Sequence, residues 1–141
     1  MEIKFTVLGA PVAKGRPRMT RQGHTYTPQK TVAYENLVRL EYQRQCGSFK
    51  FGTDAPLDVR ITAYYPIPKS VSKKKRQMMV SHQLRPMKRP DTDNVCKSIL
   101  DSLNGVAYYD DAQVVDCQVR KFYGEDPRVF VKIISLEGER L

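Results

Sequence analysis

The sequence predicts an α+β domain in which two main helices pack on a single mixed β-sheet, in the order β-β-α-β-(basic arm)-α-β-β. Three observations predict this class. Apolar residues alternate with polar ones in four segments, they recur at helical spacing in two others, and no repeat or Gly/Ser-rich linker divides the chain. With 141 residues, 40% of them hydrophobic, the chain is long enough for one packed domain over 1–141.

The N-terminal part is predicted to contain two strands and a helix. Residues 3–7 alternate in polarity and predict the first strand, and residues 25–26 predict a short second one. Thr27 is expected to cap the first helix, because Pro28 follows it and proline loses no hydrogen bond at the first helical position. Gly47 is expected to end this helix. The apolar residues at helical spacing are Ala33, Tyr34, Leu37, Val38 and Leu40.

The middle of the chain is predicted to be a strand followed by a basic arm. Residues 57–65 alternate strictly between apolar and other side chains, which is typical of a strand. Residues 69–90 are rich in Lys and Arg with almost no apolar periodicity, so we expect a mobile loop or a solvated arm. Within it, Ser72 could cap a short helix over 73–80.

The C-terminal part is predicted to be a helix and a β-hairpin. Residues 95–103 place their apolar side chains on one helical face, and Gly105 follows their end. Residues 115–119 and 129–133 alternate as strands, and the turn at 124–127 predicts that they pair as a hairpin. The face of the helix opposite its apolar side carries Asp93, Lys97 and Asp101.

Charge is divided unevenly along the chain. Residues 1–90 contain 18 Lys and Arg against 5 Asp and Glu, a net charge of +13, whereas residues 91–141 have a net charge of −4. A basic region favours a polyanionic partner, most often nucleic acid. The alternative is a protein that is basic for solubility alone.

Residue usage excludes several other classes. No apolar stretch approaches the roughly 18 residues that a membrane span needs, and the first residues lack a signal-peptide core. The three cysteines, Cys46, Cys96 and Cys117, are widely spaced and odd in number, so neither a disulfide framework nor a zinc knuckle is expected. We therefore expect a soluble cytoplasmic protein with no membrane partner.

Acidic residues near two chain reversals are the candidates for chemistry. Asp91 and Asp93 are two positions apart, so their carboxylates can converge, and Asp110 and Asp111 form a second pair. Gathering like charges raises pKa values unless a cation compensates them. Mg²⁺ or Mn²⁺ prefers such oxygen ligands, whereas zinc would need His or Cys. Lys97, one helical turn after Asp93, could stabilise charge on a phosphate in the transition state.

Each of these residues also has a purely structural interpretation. Asp93 and Lys97 could form an ordinary surface ion pair. Asp91 or Thr92 could be a helix cap, and Asp110 and Asp111 could simply belong to a hydrophilic turn. Their coincidence beside a basic arm favours the metal site.

These residues together resemble the RusA family of Holliday junction resolvases, which is common in prophages. The resemblance is carried by Arg89-Pro90-Asp91-Thr92-Asp93-Asn94, Lys97, Asp101, Leu103-Asn104-Gly105 and Asp110-Asp111-Ala112-Gln113-Val114. Upstream it includes Lys14-Gly15-Arg16-Pro17-Arg18, Tyr26-Thr27-Pro28 and residues 70–76. Val71 departs from the pattern, since many relatives have an aromatic residue there.

The resemblance implies a homodimeric, Mg²⁺-dependent endonuclease, with Mn²⁺ as a substitute. It would resolve four-way DNA junctions by two symmetric nicks, without a nucleotide or organic cofactor, in recombination and repair. The implied catalytic carboxylates and metal ligands are Asp91, Asp93 and Asp111, the implied catalytic lysine is Lys97, and the implied supporting residues are Asn94, Asp101 and Asp110. A homodimer also fits the two-fold character of a junction.

DNA binding is assigned to the basic half of the chain. The expected phosphate contacts are Lys14, Arg16, Arg18, Lys73, Lys74, Lys75, Arg76, Lys88 and Arg89. Two other functions stay open at this point. One is a phage nuclease that debranches other branched or flap DNA, and the other is a DNA-binding protein without catalytic activity.

Overall fold

The computed structural model describes residues 1–136 and has the mixed α+β class that the sequence predicts. Residues 137–141, which the predicted domain includes, lie outside the described part. In chain order the elements are β1 (Glu2–Leu8), β2 (Arg18–Met19), β3 (Thr25–Tyr26), α1 (Gln29–Cys46), β4 (Leu57–Pro66), α2 (Lys73–Val80), α3 (Thr92–Leu103), a 3-10 turn (Asp111–Gln113), β5 (Val114–Gly124) and β6 (Arg128–Ser135).

Four strands form the main sheet, in the order β1-β6-β4-β5. β4 pairs antiparallel with β6 and parallel with β5, and β6 also pairs antiparallel with β1. β2 and β3 form a separate two-stranded ribbon. None of the helices in the described part is long and apolar enough to cross a membrane.

The prediction of a C-terminal hairpin is wrong. β5 and β6 do not pair with each other, because β4 lies between them. Pro66 of β4 is in register with Gly124, and Tyr64 is in register with Arg128, so the connection 125–127 crosses the end of β4. An extended connection of this length reaches across about two interstrand spacings, roughly 10 Å. Alternating polarity and a turn signal therefore identified the two strands but not their neighbours.

The core lies between the sheet and the helices α1 and α3. Alternate residues of β4 are buried there, as predicted: Leu57, Val59, Ile61, Ala63 and Tyr65. α3 contributes Val95, Ile99 and Leu103, also as predicted, and α1 contributes Tyr34, Val38 and Tyr42. The buried stripe on α1 follows i, i+4 spacing, and three of the apolar residues noted at helical spacing, Ala33, Leu37 and Leu40, are exposed.

The helix ends refine the predicted boundaries. Pro28, not Thr27, occupies the N-cap of α1, and its carbonyl accepts hydrogen bonds from the N–H groups of Thr31 and Val32. Gly47 ends α1 with a φ of +67°, which glycine adopts without strain. The Ser72 hydroxyl accepts a hydrogen bond from an α2 amide, as expected for its cap.

Gln45 covers the outer edge of β1. Its side-chain oxygen accepts from the Thr6 amide at 2.9 Å, and its side-chain nitrogen donates to the Thr6 carbonyl at 2.7 Å. β1 is an edge strand, so these two bonds satisfy backbone groups that would otherwise be free to pair with another strand.

Candidate functional site

One cleft brings the predicted acidic motif and the N-terminal basic loop together. α3 begins at Thr92 rather than near Val95, so Asp91 stands at its N-cap and Asp93 in its first turn. Both carboxylates are exposed. The cleft is lined by Ala13, Lys14, Gly15, Arg16, Arg18, Pro28, Lys30, Thr31, Arg89, Pro90, Asp91, Asp93 and Asn94. Carboxylates and guanidinium groups therefore share one concave surface.

Asn94 fixes the basic loop against α3. Its side-chain oxygen accepts from the Lys14 amide at 2.7 Å, and its side-chain nitrogen donates to the Lys14 carbonyl at 3.2 Å. On the other side, the Gly15 amide donates to the Thr31 hydroxyl of α1 at 2.8 Å. A Cβ at Gly15 would lie 2.8 Å from a side-chain carbon of Pro28, so only glycine fits this approach. These contacts hold the loop between α1 and α3.

The Lys14 side chain is directed at carboxylates of the protein itself. Its ammonium contacts the Asp101 carboxylate and lies 3.9 Å from Glu35. About three-quarters of the Lys14 side chain is buried, since its exposed fraction is 24%. A predicted DNA contact and a predicted supporting residue therefore meet each other, and Lys14 ties the loop to α3 through its side chain as well as its backbone.

Tyr65 and Lys121 support the segment that enters α3, and neither was predicted to belong to the site. The buried Tyr65 hydroxyl donates to the Pro90 carbonyl at 2.5 Å, directly before Asp91. Lys121 of β5 donates to the Lys88 carbonyl at 2.5 Å, and its ammonium lies 4.9 Å from the Tyr65 ring. Burial lowers the pKa of Lys121, and the nearby Asp91 carboxylate acts in the opposite direction. Alternation marked Tyr65 only as a strand position, and the predicted strand over 115–119 ends before Lys121.

The two residues of the second acidic pair differ in role. Asp110 caps the 3-10 turn, because its carboxylate accepts from the Ala112 amide at 3.0 Å and Gln113 completes a capping box. The hydrogen bond that Asp110 shares with Asp111 raises the pKa of Asp111. The structural interpretation therefore holds for Asp110 and leaves Asp111 free of a capping role.

The three predicted metal ligands do not form a closed set in this conformation. Within residues 1–136 no group of three or more His, Cys, Asp and Glu side chains is placed to hold a metal ion. Asp91 and Asp93 line the cleft, and Asp111 is not among the described residues that do. The donors that are present are carboxylate oxygens, which suit Mg²⁺ or Mn²⁺. Magnesium also uses one or two protein carboxylates and takes its other ligands from water and phosphate. The donor chemistry of the cleft thus fits a hard divalent cation.

Lys97 is exposed on α3 one turn beyond Asp93. In the described part of the chain it forms no salt bridge with Asp93, so the ordinary ion pair that offered a structural explanation is not present. The Lys97 ammonium is available to an incoming anion.

The basic arm is held against the sheet rather than detached from it. Arg76 of α2 pairs with Glu125 at 3.2 Å, in the connection between β5 and β6. Further along, Arg85 donates to the Lys121 carbonyl at 3.0 Å, and its guanidinium lies 4.3 Å from the Phe122 ring. The lysines of α2 are exposed. The arm therefore presents an exposed cationic helix at one end and returns to the cleft through Arg89 at the other.

Comparison with known proteins identifies similar sequences. A family model described as "Endodeoxyribonuclease RusA" matches residues 9–134. A protein of Bacillus subtilis (strain 168) described as "Uncharacterized protein YqaN" is 44% identical over 136 residues, which cover 93% of this chain and 94% of that protein.

Proposed function

The chain belongs to the RusA family of endodeoxyribonucleases, and on this premise we propose that it resolves four-way (Holliday) DNA junctions by paired nicks in recombination and repair. The cleft is the observation that supports this proposal. It combines Asp91 and Asp93 with Arg16, Arg18 and Arg89 on one surface. Carboxylates alone would repel DNA, whereas flanking guanidinium groups bind phosphate in bidentate fashion.

The proposed divalent cation, Mg²⁺ with Mn²⁺ as a substitute, would be held by Asp91 and Asp93, with Asp111 as the third carboxylate. When bound it would supply Lewis-acid polarisation of the phosphodiester and a water of lowered pKa. The chain's own contribution is positioning and charge. The arginines of the loop hold the phosphate, and the Lys97 ammonium stabilises negative charge that develops on its oxygens. Hydrolysis would leave a 5′-phosphate and a 3′-hydroxyl.

A second copy of the chain is the proposed partner. A four-way junction has two-fold character, so two nicks at symmetric positions require two copies of the cleft. The exposed cations of α2 extend the binding surface along the DNA arms. The proposed contacts with these arms are Lys73, Lys74, Lys75 and Arg76 of α2, together with Lys88 further along the chain. We also propose that the protein acts in the cytoplasm.

Cleavage of a synthetic four-way junction tests the proposal. We expect nicks in the presence of Mg²⁺, none with a chelator, and less cleavage of Y-shaped or linear duplexes under equal conditions. Asp93→Asn and Asp111→Asn should abolish cleavage but leave junction binding intact, because each removes a negative charge that faces phosphate. Asp126→Asn is a matched control, since Asp126 is exposed and lies outside the cleft.

The results distinguish the alternatives. Wild-type cleavage rates in both Asp93→Asn and Asp111→Asn would refute the assigned roles. Faster cutting of Y-shaped DNA than of the junction would instead support a debranching nuclease. Junction binding without any metal-dependent cleavage would support a DNA-binding protein without catalytic activity.

A further inference from the structure

Two cysteines that are distant in sequence lie side by side in the fold. The Sγ atoms of Cys96 and Cys117 are 2.8 Å apart, and both thiols are free. This separation is within about 1 Å of the ~2.05 Å length of an S–S bond. A small displacement of either side chain therefore brings the two sulfur atoms to bonding distance.

The topology explains why these two residues meet. Cys96 lies on α3, and Cys117 of β5 is in register with the buried Val59 of β4. Since residues in register share one face of a sheet, Cys117 stands on the face that α3 covers. Cys117 is nevertheless exposed, because β5 is at the sheet edge, and Cys96 is partly exposed. A small reagent can thus reach the pair.

The third cysteine is placed differently. Cys46, at the end of α1, directs its thiol to the Lys4 carbonyl at 3.6 Å, and burial raises the pKa of its thiol.

The hydrogen bond with Cys117 lowers the pKa of Cys96 and raises that of Cys117. Thiolate is the nucleophilic form, so Cys96 is the more reactive member of the pair.

We propose that Cys96 and Cys117 are a modification site that forms a reversible intrachain disulfide by exchange with a low-molecular-weight disulfide. The Cys96 thiolate attacks one sulfur of the reagent, which gives a mixed disulfide and releases one thiolate. The Cys117 thiol then loses its proton and attacks the Cys96 sulfur, which forms the intrachain bond and releases the second thiolate. Two protein thiols are oxidised, one reagent disulfide is reduced, and the two cysteine protons end on the two released thiols.

The bond would join two elements of the candidate site. α3 carries Asp93 and Lys97, and β5 begins directly after the 3-10 turn that contains Asp111. The disulfide would close the loop between them and limit how far they separate. This proposal does not depend on the nuclease activity, since the reaction involves thiols alone.

Exchange with oxidised glutathione tests the proposal on the full chain. After reaction, remaining thiols are alkylated and the intact mass is measured. We expect Cys46 to be the one alkylated cysteine. The mass should show that Cys96 and Cys117 have together lost two hydrogen atoms and that no glutathione is retained. The melting temperature should rise by about 5–10 °C and return on reduction, as expected for closing a loop of this size.

Single substitutions provide the controls. Cys117→Ser should stop at the mixed disulfide, with glutathione retained on Cys96, whereas Cys46→Ser should form the intrachain bond at the wild-type rate. Retention of glutathione by the unmodified chain, a bond that includes Cys46, a disulfide between two chains, or an unchanged thiol count would each overturn the proposal. The measurement on the unmodified chain needs no variant to fold.

Discussion

Replacing Asn94 by Ala isolates the contribution of the basic loop to DNA binding. The substitution removes both hydrogen bonds that Asn94 makes with the Lys14 backbone, at 2.7 and 3.2 Å. Each such bond contributes about 1 kcal/mol net, so the free energy of unfolding should fall by roughly 2 kcal/mol. Once released, the loop must be ordered again on DNA, at a cost of about 1–2 kcal/mol per residue fixed. Ordering one residue corresponds to about 5- to 30-fold weaker junction binding.

Gln45→Ala is the matched control for this substitution. Gln45 makes the same pair of hydrogen bonds with the backbone of Thr6, on β1 and outside the cleft. It should lower stability by a similar or smaller amount and leave DNA affinity unchanged. Urea unfolding measures the first quantity, and fluorescence anisotropy with a labelled four-way junction in a chelator measures the second without cleavage. Equal affinities of Asn94→Ala and wild type, or equal losses in both variants, would refute the positioning of the loop for DNA.

Four further substitutions test separate parts of the molecule. Arg16→Ala and Arg18→Ala should each lower the slope of log Kd against log salt concentration by about 1, measured by anisotropy, because each removes one phosphate contact. Tyr65→Phe leaves the Pro90 carbonyl without its buried donor, so the free energy of unfolding in urea should fall by about 1–3 kcal/mol. Ser72→Ala removes the α2 cap, and the amides of α2 should exchange faster by a factor that corresponds to about 1 kcal/mol, with global stability unchanged.

Each of these results has a clear opposite. An unchanged salt slope would show that the loop arginines do not contact phosphate. Wild-type stability of Tyr65→Phe would show that water replaces the hydroxyl at no cost. Unchanged exchange in α2 would show that packing, rather than the cap, orders the arm.

The sequence predicted the elements better than their assembly. Period-two alternation identified β4, and the Ser72 cap suggested α2 within a segment expected to be a mobile loop or solvated arm, because both are local signals. The neighbours of β4 could not be predicted in this way, since alternation states which face of a strand is buried and not which strand lies beside it. The turn before β6 therefore suggested a hairpin where the connection in fact crosses β4.

The same distinction applies to the candidate site. The spacing of Asp91 and Asp93 and the basic composition of the loop could be read from the chain, and they do line one cleft. The contacts of Tyr65 with Pro90 and of Cys96 with Cys117 join residues that are 25 and 21 positions apart. Such pairs depend on how α3 lies against the sheet, which no local pattern encodes.

The pairing of β1 with β6 has a consequence for synthesis of the protein. Phe5 is in register with Val131, so the first strand finds its partner only after nearly the whole described chain has been made. A nascent chain that has left the ribosome only as far as β5 has no strand paired with β1, although α1 can already pack against it. Contacts of such long sequence separation also make folding slow, because a large loop must close before they form. The main sheet is thus complete only once β6 has been made, although the anchors of the basic loop on α1 and α3 precede it in the chain.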